Sequence, residues 1–329
     1  MRYELSLIVF CVSAACGAAE MKVDDLFEKP VALADASGAV LLTNLAEGCP
    51  TAADYNGDGK VDLILGAHES MDTPVGGIWL IPNTGTNEKP AFSMKDAYRV
   101  NDQDGVLKAG CGCKSAGQVL VQAADFKGDG WIDIVFSDTY AHAYILLNDR
   151  KSKDKPTFTR QPFYDMEKVN HGMMAGGGDW DGDGVRDWLH MPFAGEEYKF
   201  LKGDALGGKG LKFEQVANVR QAHPVKISGD KAVTCAWAWD FSGTAKARGV
   251  IEYAGIAGGD AREICLYELK DGVSRKVCVL VKAEGSDPRF TLADLNGDGK
   301  MDLLYSSGNF GEKAATKIVV LYGKVANIK

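Results

Sequence analysis

The feature that most constrains the fold of this chain is a nine-residue motif that recurs along it, with oxygen-bearing side chains at positions one, three, five and nine. The copy at residues 179–187 also has glycines at positions four and six, which let the backbone turn tightly enough for those oxygens to converge. Hard oxygen donors in this arrangement are typical of a calcium loop. Complete copies span residues 54–62, 179–187 and 294–302, so the sequence predicts about three intact calcium sites.

Two further copies are altered, and the five are numbered here in chain order as loops 1 to 5. In loop 2, residues 125–133, Lys127 stands where the second oxygen ligand is expected, which weakens this fourth predicted site. In loop 4, residues 240–248, Arg248 replaces the last carboxylate, so no metal site is expected there. A salt bridge from Arg248 to Asp240 is predicted to replace calcium in that loop.

The predicted metal ligands are the oxygen side chains at these positions and the backbone carbonyl at position seven. In loops 1, 3 and 5 they are Asp54, Asn56, Asp58, Lys60 and Asp62; Asp179, Asp181, Asp183, Val185 and Asp187; and Asp294, Asn296, Asp298, Lys300 and Asp302. In loop 2 they are Asp125, Asp129, Trp131 and Asp133. Because protein oxygens fill most of the coordination shell, a structural role is favoured over a catalytic one.

The sequences that flank the loops distinguish them from EF-hands. An EF-hand loop lies between two helices and ends in a bidentate glutamate at position twelve. Here the twelfth residues are Leu65, Phe136, His190 and Tyr305, and short apolar runs typical of strands follow the loops. Each unit is therefore predicted to be a strand, a calcium turn and a second strand.

The spacing of the loops, roughly 55 to 70 residues, indicates a repeat array. Each unit reads as four short strands, except that the chain nearly ends before the last unit has its fourth. Residues 30–42 contain a strand candidate that belongs to no unit, and it can supply the missing strand. We therefore predict an all-β fold: a β-propeller of five four-stranded blades, closed by strand exchange with the N-terminal strand, in a single domain over residues 20–329.

The repeated motif resembles that of the FG-GAP/VCBS repeat family. The resemblance rests on Asp-x-Asx-Gly-Asp-Gly-x-x-Asp followed by an apolar strand, and on Asn83-Thr84-Gly85 after the third strand. It departs at Lys127 in loop 2 and at Arg248 in loop 4. It implies calcium-binding propeller repeats, as in integrin α-subunit heads and secreted bacterial proteins, on a scaffold that serves adhesion, carbohydrate binding and lyase catalysis.

The first residues predict export. Residues 1–19 have the charge, short apolar core and small-residue exit of a secretory signal, so a secreted, periplasmic or cell-surface location is expected, with lipid attachment at Cys16 as an alternative to cleavage. No later stretch is long and apolar enough to predict a transmembrane segment. The net charge of -8, without a basic cluster, argues against nucleic acid or an anionic membrane as a partner.

One disulfide is predicted from spacing. A two-residue Asp-Gly turn at residues 271–272 sets Lys270 opposite Val273, and counting outward sets Cys265 opposite Cys278. Disulfides form in oxidising compartments, so export favours this bond. Two buried thiols on neighbouring strands are the alternative.

Ligand binding is predicted on the face opposite the calcium loops. The strand connections there carry a cluster of histidines and carboxylates: His68, Glu69, Asp138, His171 and His190. Such groups suit a glycan or a surface protein, so the first hypothesis is a non-enzymatic binding protein. The alternative is a polysaccharide lyase or hydrolase that uses His68, His171 and His190 as acid or base. A third interpretation is a purely structural module of a surface assembly, in which each histidine only caps a strand end.

Overall fold

The computed structural model describes fifteen segments of the chain, and these are residues 21–43, 45–68, 77–107, 119–138, 142–165, 172–176, 188–192, 197–202, 214–220, 235–239, 249–254, 263–270, 273–283, 288–308 and 316–325. Almost all regular structure in them is β-strand. The exception is a four-residue helix, α1 (Val23–Leu26). Across these segments, no helix has the length and apolar character needed to cross a membrane.

The strands follow the repeat of the loops. Ahead of loop 1 lie β1 (Val31–Ala32) and β2 (Leu42–Thr43). Around loops 1 and 2 are β3 (Ala46–Ala53), β4 (Asp62–His68), β5 (Gly77–Ile81), β6 (Tyr98–Arg99), the small hairpin β7 (Asn101–Asp102) and β8 (Gly105–Val106), and then β9 (Val119–Ala124), β10 (Asp133–Asp138), β11 (His142–Asn148) and β12 (Phe158–Asp165). The remaining strands are β13 (Gly172–Gly176), β14 (Trp188–Pro192), β15 (Glu197–Lys202), β16 (Glu214–Arg220), β17 (Cys235–Trp239), β18 (Gly249–Ala254), β19 (Glu263–Lys270), β20 (Val273–Lys282), β21 (Phe290–Ala293), β22 (Asp302–Gly308) and β23 (Thr316–Leu321).

Antiparallel sheets are formed by strands that follow one another in the chain. Strands β3 to β6 form one sheet and β9 to β12 a second, in sequence order. Strands β13 to β16 and β17 to β20 also pair in sequence order, and a single parallel pair, Arg220 with Val273, joins these two sets. The prediction of an all-β fold is confirmed, and each described loop lies between the first two strands of a sheet.

The N-terminal strands complete the last sheet. Strands β21, β22 and β23 pair in order, and the outer edge of β23 pairs with both β1 and β2. The registers are Val31 opposite Val320 and Leu42 opposite Lys317. The N-terminal segment therefore supplies the outer strand that the last unit lacks, as the count of strands in the sequence predicted.

The first strands of the five sets lie beside one another in a regular order. Strand β3 packs beside β9, β9 beside β13, β13 beside β17, and β17 beside β21. Strand β21 in turn packs beside β3. The series of neighbouring first strands thus returns to its starting point.

The apolar core lies between sheets. One cluster joins the first sheet to the second, and its members include Ile64, Leu80, Val121 and Phe136, all buried. Gly66 in β4 makes the close approach of these sheets possible. A Cβ atom there would lie 2.6 Å from the Val119 carbonyl oxygen, so no larger residue fits without movement.

The predicted disulfide is wrong. Lys270 does lie opposite Val273, but a bulge between Leu266 and Tyr267 shifts the pairing farther along the strands. Cys265 therefore lies opposite Val279, while Cys278 lies opposite Leu266. Since neighbouring residues of a strand point to opposite faces, the two sulfurs lie on opposite sides of the sheet and both remain thiols.

Candidate metal centres

The first carboxylate of loop 1 organises the loop through backbone hydrogen bonds. Asp54 Oδ1 accepts hydrogen bonds from the N–H groups of Gly57 at 2.6 Å and Asp58 at 3.1 Å, and Oδ2 accepts one from Gly59 at 2.9 Å. Gly57 and Gly59 have φ angles of 70° and 85°, a left-handed conformation that glycine adopts without strain. The glycines at positions four and six are therefore required by the turn.

Loop 5 repeats this arrangement. Asp294 Oδ1 accepts a hydrogen bond from the Asp298 N–H group at 3.0 Å, and Oδ2 accepts one from Gly299 at 2.9 Å. Loop 2 does the same through Asp125, which accepts from the N–H groups of Asp129 at 2.9 Å and Gly130 at 2.7 Å. The three loops that the structure describes thus share one backbone frame.

The carboxylate at position nine ties each loop to the end of the third strand of its sheet. Asp62, Asp133 and Asp302 are each 0% exposed. Their Oδ1 atoms each accept a 2.8 Å hydrogen bond from a backbone N–H group, that of Asn83, Asn148 and Gly323 respectively. Position nine is therefore a structural anchor as well as a predicted metal ligand.

Burial makes the negative charge at position nine unfavourable. It raises the pKa of Asp62 to about 7 and the pKa of Asp302 to about 6, against the opposing effect of the backbone N–H groups that they accept from. Burial also raises the pKa of Asp133, although Lys127 opposes that increase. A cation beside each of these groups would stabilise the charged form.

Loop 1 has the donor set that calcium prefers. Asp54, Asn56, Asp58 and Asp62 supply oxygens, and Asp62 Oδ2 is buried and accepts no hydrogen bond from the described groups. The Lys60 ammonium lies outside this set, 3.2 Å from Asp58 Oδ2 and 2.5 Å from the Asn83 carbonyl oxygen. The residues of loop 1 therefore fit a calcium ion.

Loop 5 has the same donor types, Asp294, Asn296, Asp298 and Asp302, with Lys300 at position seven 3.2 Å from Asp298 Oδ2. Its Asp302 Oδ2 accepts a 2.9 Å hydrogen bond from the Leu295 N–H group at position two, and the Tyr55 N–H group at that position of loop 1 likewise lowers the pKa of Asp62 against the effect of burial. In the structure these carboxylates are held by N–H groups and lysines, and among the described residues no three His, Cys, Asp or Glu side chains form a preassembled metal cluster. Calcium binding therefore stays a prediction.

Loop 2 contains its own cation. The Lys127 ammonium lies 3.1 Å from Asp129 Oδ2 and 3.2 Å from Asp133 Oδ1. Arg150, from the connection between β11 and β12, also contacts Asp129 Oδ2. The two carboxylates that would share a metal ion already share an ammonium group, so the residues of loop 2 do not fit a divalent cation.

Two asparagines in the connection after the third strand support loop 1, and the sequence did not predict this role for them. Asn87 accepts a 2.8 Å hydrogen bond from the Val61 N–H group and donates one to the Gly59 carbonyl oxygen at 3.0 Å. Asn83, noted only as part of the repeat motif, accepts at its side-chain oxygen from two N–H groups, those of Gly85 and Ala91. The Asn-Thr-Gly sequence after the third strand was the available signal for these contacts.

The same connections also approach the neighbouring loops. A Cβ on Gly297 in loop 5 would lie 3.3 Å from Asn87 Nδ2, and one on Gly57 in loop 1 would lie 2.7 Å from Lys153 Nζ. Lys153 also lies over the ring of Trp131 in loop 2, 5.7 Å from its centroid. Loops 5, 1 and 2 therefore lie in a row, linked by Asn87 and Lys153.

Two predicted loops lie outside the described residues. These are the whole of loop 3, with Asp179, Asp181, Asp183, Val185 and Asp187, and loop 4, with Asp240 and Arg248. Calcium in loop 3 and the salt bridge in loop 4 therefore stay predictions.

Only part of the predicted ligand-binding cluster is described. His68, Asp138 and His190 were predicted to lie at or beyond the ends of second strands, but β4, β10 and β14 continue to His68, Asp138 and Pro192. The strands are longer because pairing with the first strands continues, with Ala46 opposite His68 and Val119 opposite Asp138. Glu69 and His171 fall outside the described residues, as do the side chains of the other three.

The comparisons with known proteins are weak. The chain matches no protein-family model, and no curated protein matches it. A candidate 6-phosphogluconolactonase from Bacteroides uniformis is similar over 82% of this chain and 69% of its own, with 11% identity and a TM-score of 0.35. The NanB sialidase from Streptococcus pneumoniae is similar over 87% of this chain and 42% of its own, also with 11% identity and a TM-score of 0.35. Likeness at this level carries no argument about fold or function.

Proposed function

We propose that this chain is a five-bladed β-propeller of the FG-GAP/VCBS type, stabilised by calcium. The observation that carries the proposal is the order of the first strands, in which β3, β9, β13, β17 and β21 are successive neighbours and β21 packs beside β3. Each first strand begins one blade, and the pairing of β1 with β23 completes the last blade. A ring closed in this way leaves few exposed strand edges.

Calcium acts as a structural ion in this proposal. In loop 1 it is held by Asp54, Asn56, Asp58 and Asp62 with the Lys60 carbonyl, and in loop 5 by the corresponding residues from Asp294 to Asp302. When bound, the ion supplies positive charge that neutralises the buried carboxylates. Asp62 and Asp302 each hold the end of a third strand, so neutralising them stabilises the inner three strands of a blade.

Thermal unfolding with and without EDTA tests this role. Each site filled at about 100 times its Kd contributes roughly 2.7 kcal/mol, so the sites in loops 1 and 5 alone contribute roughly 5 kcal/mol. For a chain of this length we expect removal of calcium to lower the Tm by about 10 °C, and re-addition of calcium but not of magnesium to restore it. A Tm that EDTA leaves unchanged would contradict the proposal.

The ligand-binding face is proposed to lie at the far end of the sheets. Strand β4 begins at Asp62, in loop 1, and ends at His68, and the rise along the strand between these two residues is about 20 Å. Asp138 ends β10 in the same way. Histidine and aspartate are residue types that suit the hydroxyl groups of a glycan, and we propose an exported, non-enzymatic glycan-binding protein.

A glycan array probed with the calcium-loaded protein tests this assignment. We expect retention on a subset of glycans, reduced at least tenfold in a His68→Ala, Asp138→Ala double variant. Lys89→Ala, an exposed change at the loop end of the first sheet, is the matched control and retains binding. A silent array together with capture of a surface protein would replace the glycan by a protein ligand. Ultraviolet-absorbing product from uronate polymers would instead support the lyase alternative.

A further inference from the structure

We propose that loop 2 takes no divalent ion and that the Lys127 ammonium is its permanent cation. The inference deepens the proposed function and rests on calcium being the cation of the intact loops. Lys127 stands at position three, where loops 1 and 5 carry Asn56 and Asn296. A donor has thus replaced an acceptor at the position that faces the metal in the intact copies.

The contacts of Lys127 are those that a metal ion would make. Its Nζ atom bridges Asp129 at position five and Asp133 at position nine, at 3.1 and 3.2 Å. The side chain of Lys127 is only 19% exposed and that of Asp133 is 0% exposed. An ion pair sheltered from water in this way is stronger than an exposed pair, and a second positive ion could enter only by displacing it.

The local charges lead to the same conclusion. Loop 1 has three carboxylates and Lys60, so its formal charge is about -2, and one calcium ion neutralises it. Loop 2 also has three carboxylates and one lysine, so the formal charge of its nine residues is about -2 as well. The loops differ in where the positive charge lies, because Lys127 contacts both Asp129 and Asp133 and Arg150 also contacts Asp129, whereas Lys60 contacts Asp58. In loop 2 the positive charge therefore already lies where a calcium ion would bind.

Lys127 also preserves the anchor of the loop. Asp133 Oδ1 accepts both the Asn148 N–H group and the Lys127 ammonium, so the carboxylate holds the end of β11 with a cation already beside it. Blade 2 is accordingly expected to keep its structure at calcium concentrations at which loops 1 and 5 open. The ring would then have at least one blade whose stability does not depend on calcium.

Hydrogen exchange on the wild-type protein tests the inference without any variant. Amides in residues 54–62 and 294–302 are expected to exchange at least tenfold faster after EDTA treatment, while amides in 125–133 change less than twofold. Faster exchange in 125–133 after EDTA would overturn the proposal. If EDTA changes the exchange rate in none of the three loops, the proposed stabilisation by calcium is wrong. The number of calcium ions bound by the Lys127→Asn variant then decides whether Lys127 occupies a metal position.

The Lys127→Asn variant is expected to create a calcium site, because its loop 2 then has the same ligand pattern as loops 1 and 5. Titration calorimetry should show one more calcium ion per chain than in the wild type. Lys151→Asn is the matched control, since it removes the same charge near loop 2 from a side chain that is 75% exposed, and it should leave the number of ions unchanged. A folded Lys127→Asn protein that gains no ion overturns the proposal.

Discussion

Loops 1 and 2 have the same backbone and different sources of positive charge. In both, the first carboxylate accepts the N–H groups of positions five and six, and the ninth anchors the third strand. In both loops the Oδ2 atom of the anchor, Asp62 or Asp133, is buried and accepts no hydrogen bond from the described groups. The loops differ at the other oxygen, because Lys127 Nζ lies 3.2 Å from Asp133 Oδ1. The difference teaches that one backbone frame can form whether or not a lysine contacts its anchor carboxylate.

The largest expected effect comes from removing the anchor carboxylate in each loop. In Asp133→Ala the Lys127 ammonium and the Asn148 N–H group both lose their buried acceptor, and we expect a loss of about 3 kcal/mol of unfolding free energy, because breaking a buried pair leaves a charge uncompensated. This loss should be equal with calcium and with EDTA. Denaturant unfolding under both conditions measures it.

Asp62→Ala is the matched change in loop 1, and its effect should depend on calcium. With calcium the variant loses a ligand and the Asn83 anchor, while with EDTA it also relieves a buried negative charge that lies near Asp54 and Asp58. We therefore expect a loss of about 3 kcal/mol with calcium and less than about 1 kcal/mol with EDTA. Equal losses for Asp62→Ala under the two conditions would remove the distinction between the loops.

A smaller effect is expected from replacing the lysines themselves. Lys127→Met keeps the length of the side chain but leaves Asp129 and Asp133 without their shared cation, at a cost of about 2 kcal/mol. Lys60→Met removes an ion pair with Asp58 in which both side chains are more than a third exposed, together with a hydrogen bond to the Asn83 carbonyl oxygen. Each of these interactions contributes about 1 kcal/mol or less, so a smaller loss than for Lys127→Met is expected. The ratio of the two losses in unfolding free energy, measured in EDTA, sharpens the comparison between loops 1 and 2. Similar losses would show that Lys127 is an ordinary surface lysine.

The contact between the first two sheets links the two loops, and Gly66 tests it. A methyl group there meets the Val119 carbonyl oxygen at 2.6 Å and the Val121 side chain at 2.8 Å, so Gly66→Ala should cost about 1.5 kcal/mol through overpacking. Gly48→Ala is the control, because its nearest contact is 3.9 Å away. Chemical denaturation of both variants measures the difference. A Gly48→Ala loss as large as that of Gly66→Ala would argue against a tight junction.

The sequence predicted the parts of the molecule that depend on local residue types. Oxygen side chains and glycines at fixed spacing predicted the loops, and apolar runs predicted the strands that flank them, because these features act within about nine residues. The contribution of β1 to the last sheet was also predictable, since a strand was missing there.

Features that depend on long-range packing were not predictable in the same way. Lys127 was recognised as a lost ligand, but its reach to Asp133 depends on the folded turn. The bulge between Leu266 and Tyr267, which separates Cys265 from Cys278, has no signal in the Asp-Gly turn. The strands β4 and β10 extend to His68 and Asp138 because their first-strand neighbours continue to pair with them.

The smallest expected effect concerns a support that loop 1 has and loop 2 lacks. Asn87 makes two hydrogen bonds to the backbone of loop 1, and the residue at the corresponding place after the third strand of the second sheet is Ser152, which accepts from the Lys155 N–H group instead. Asn87→Ala should cost about 1 kcal/mol and thereby weaken calcium binding about fivefold, because the loop backbone loses its preorganisation. Ser152→Ala should leave calcium binding unchanged. Calcium titration of both variants measures the two affinities. If Asn87→Ala binds calcium as tightly as the wild type, loop 1 is held by its own carboxylates alone, and the two loops differ only in their cation.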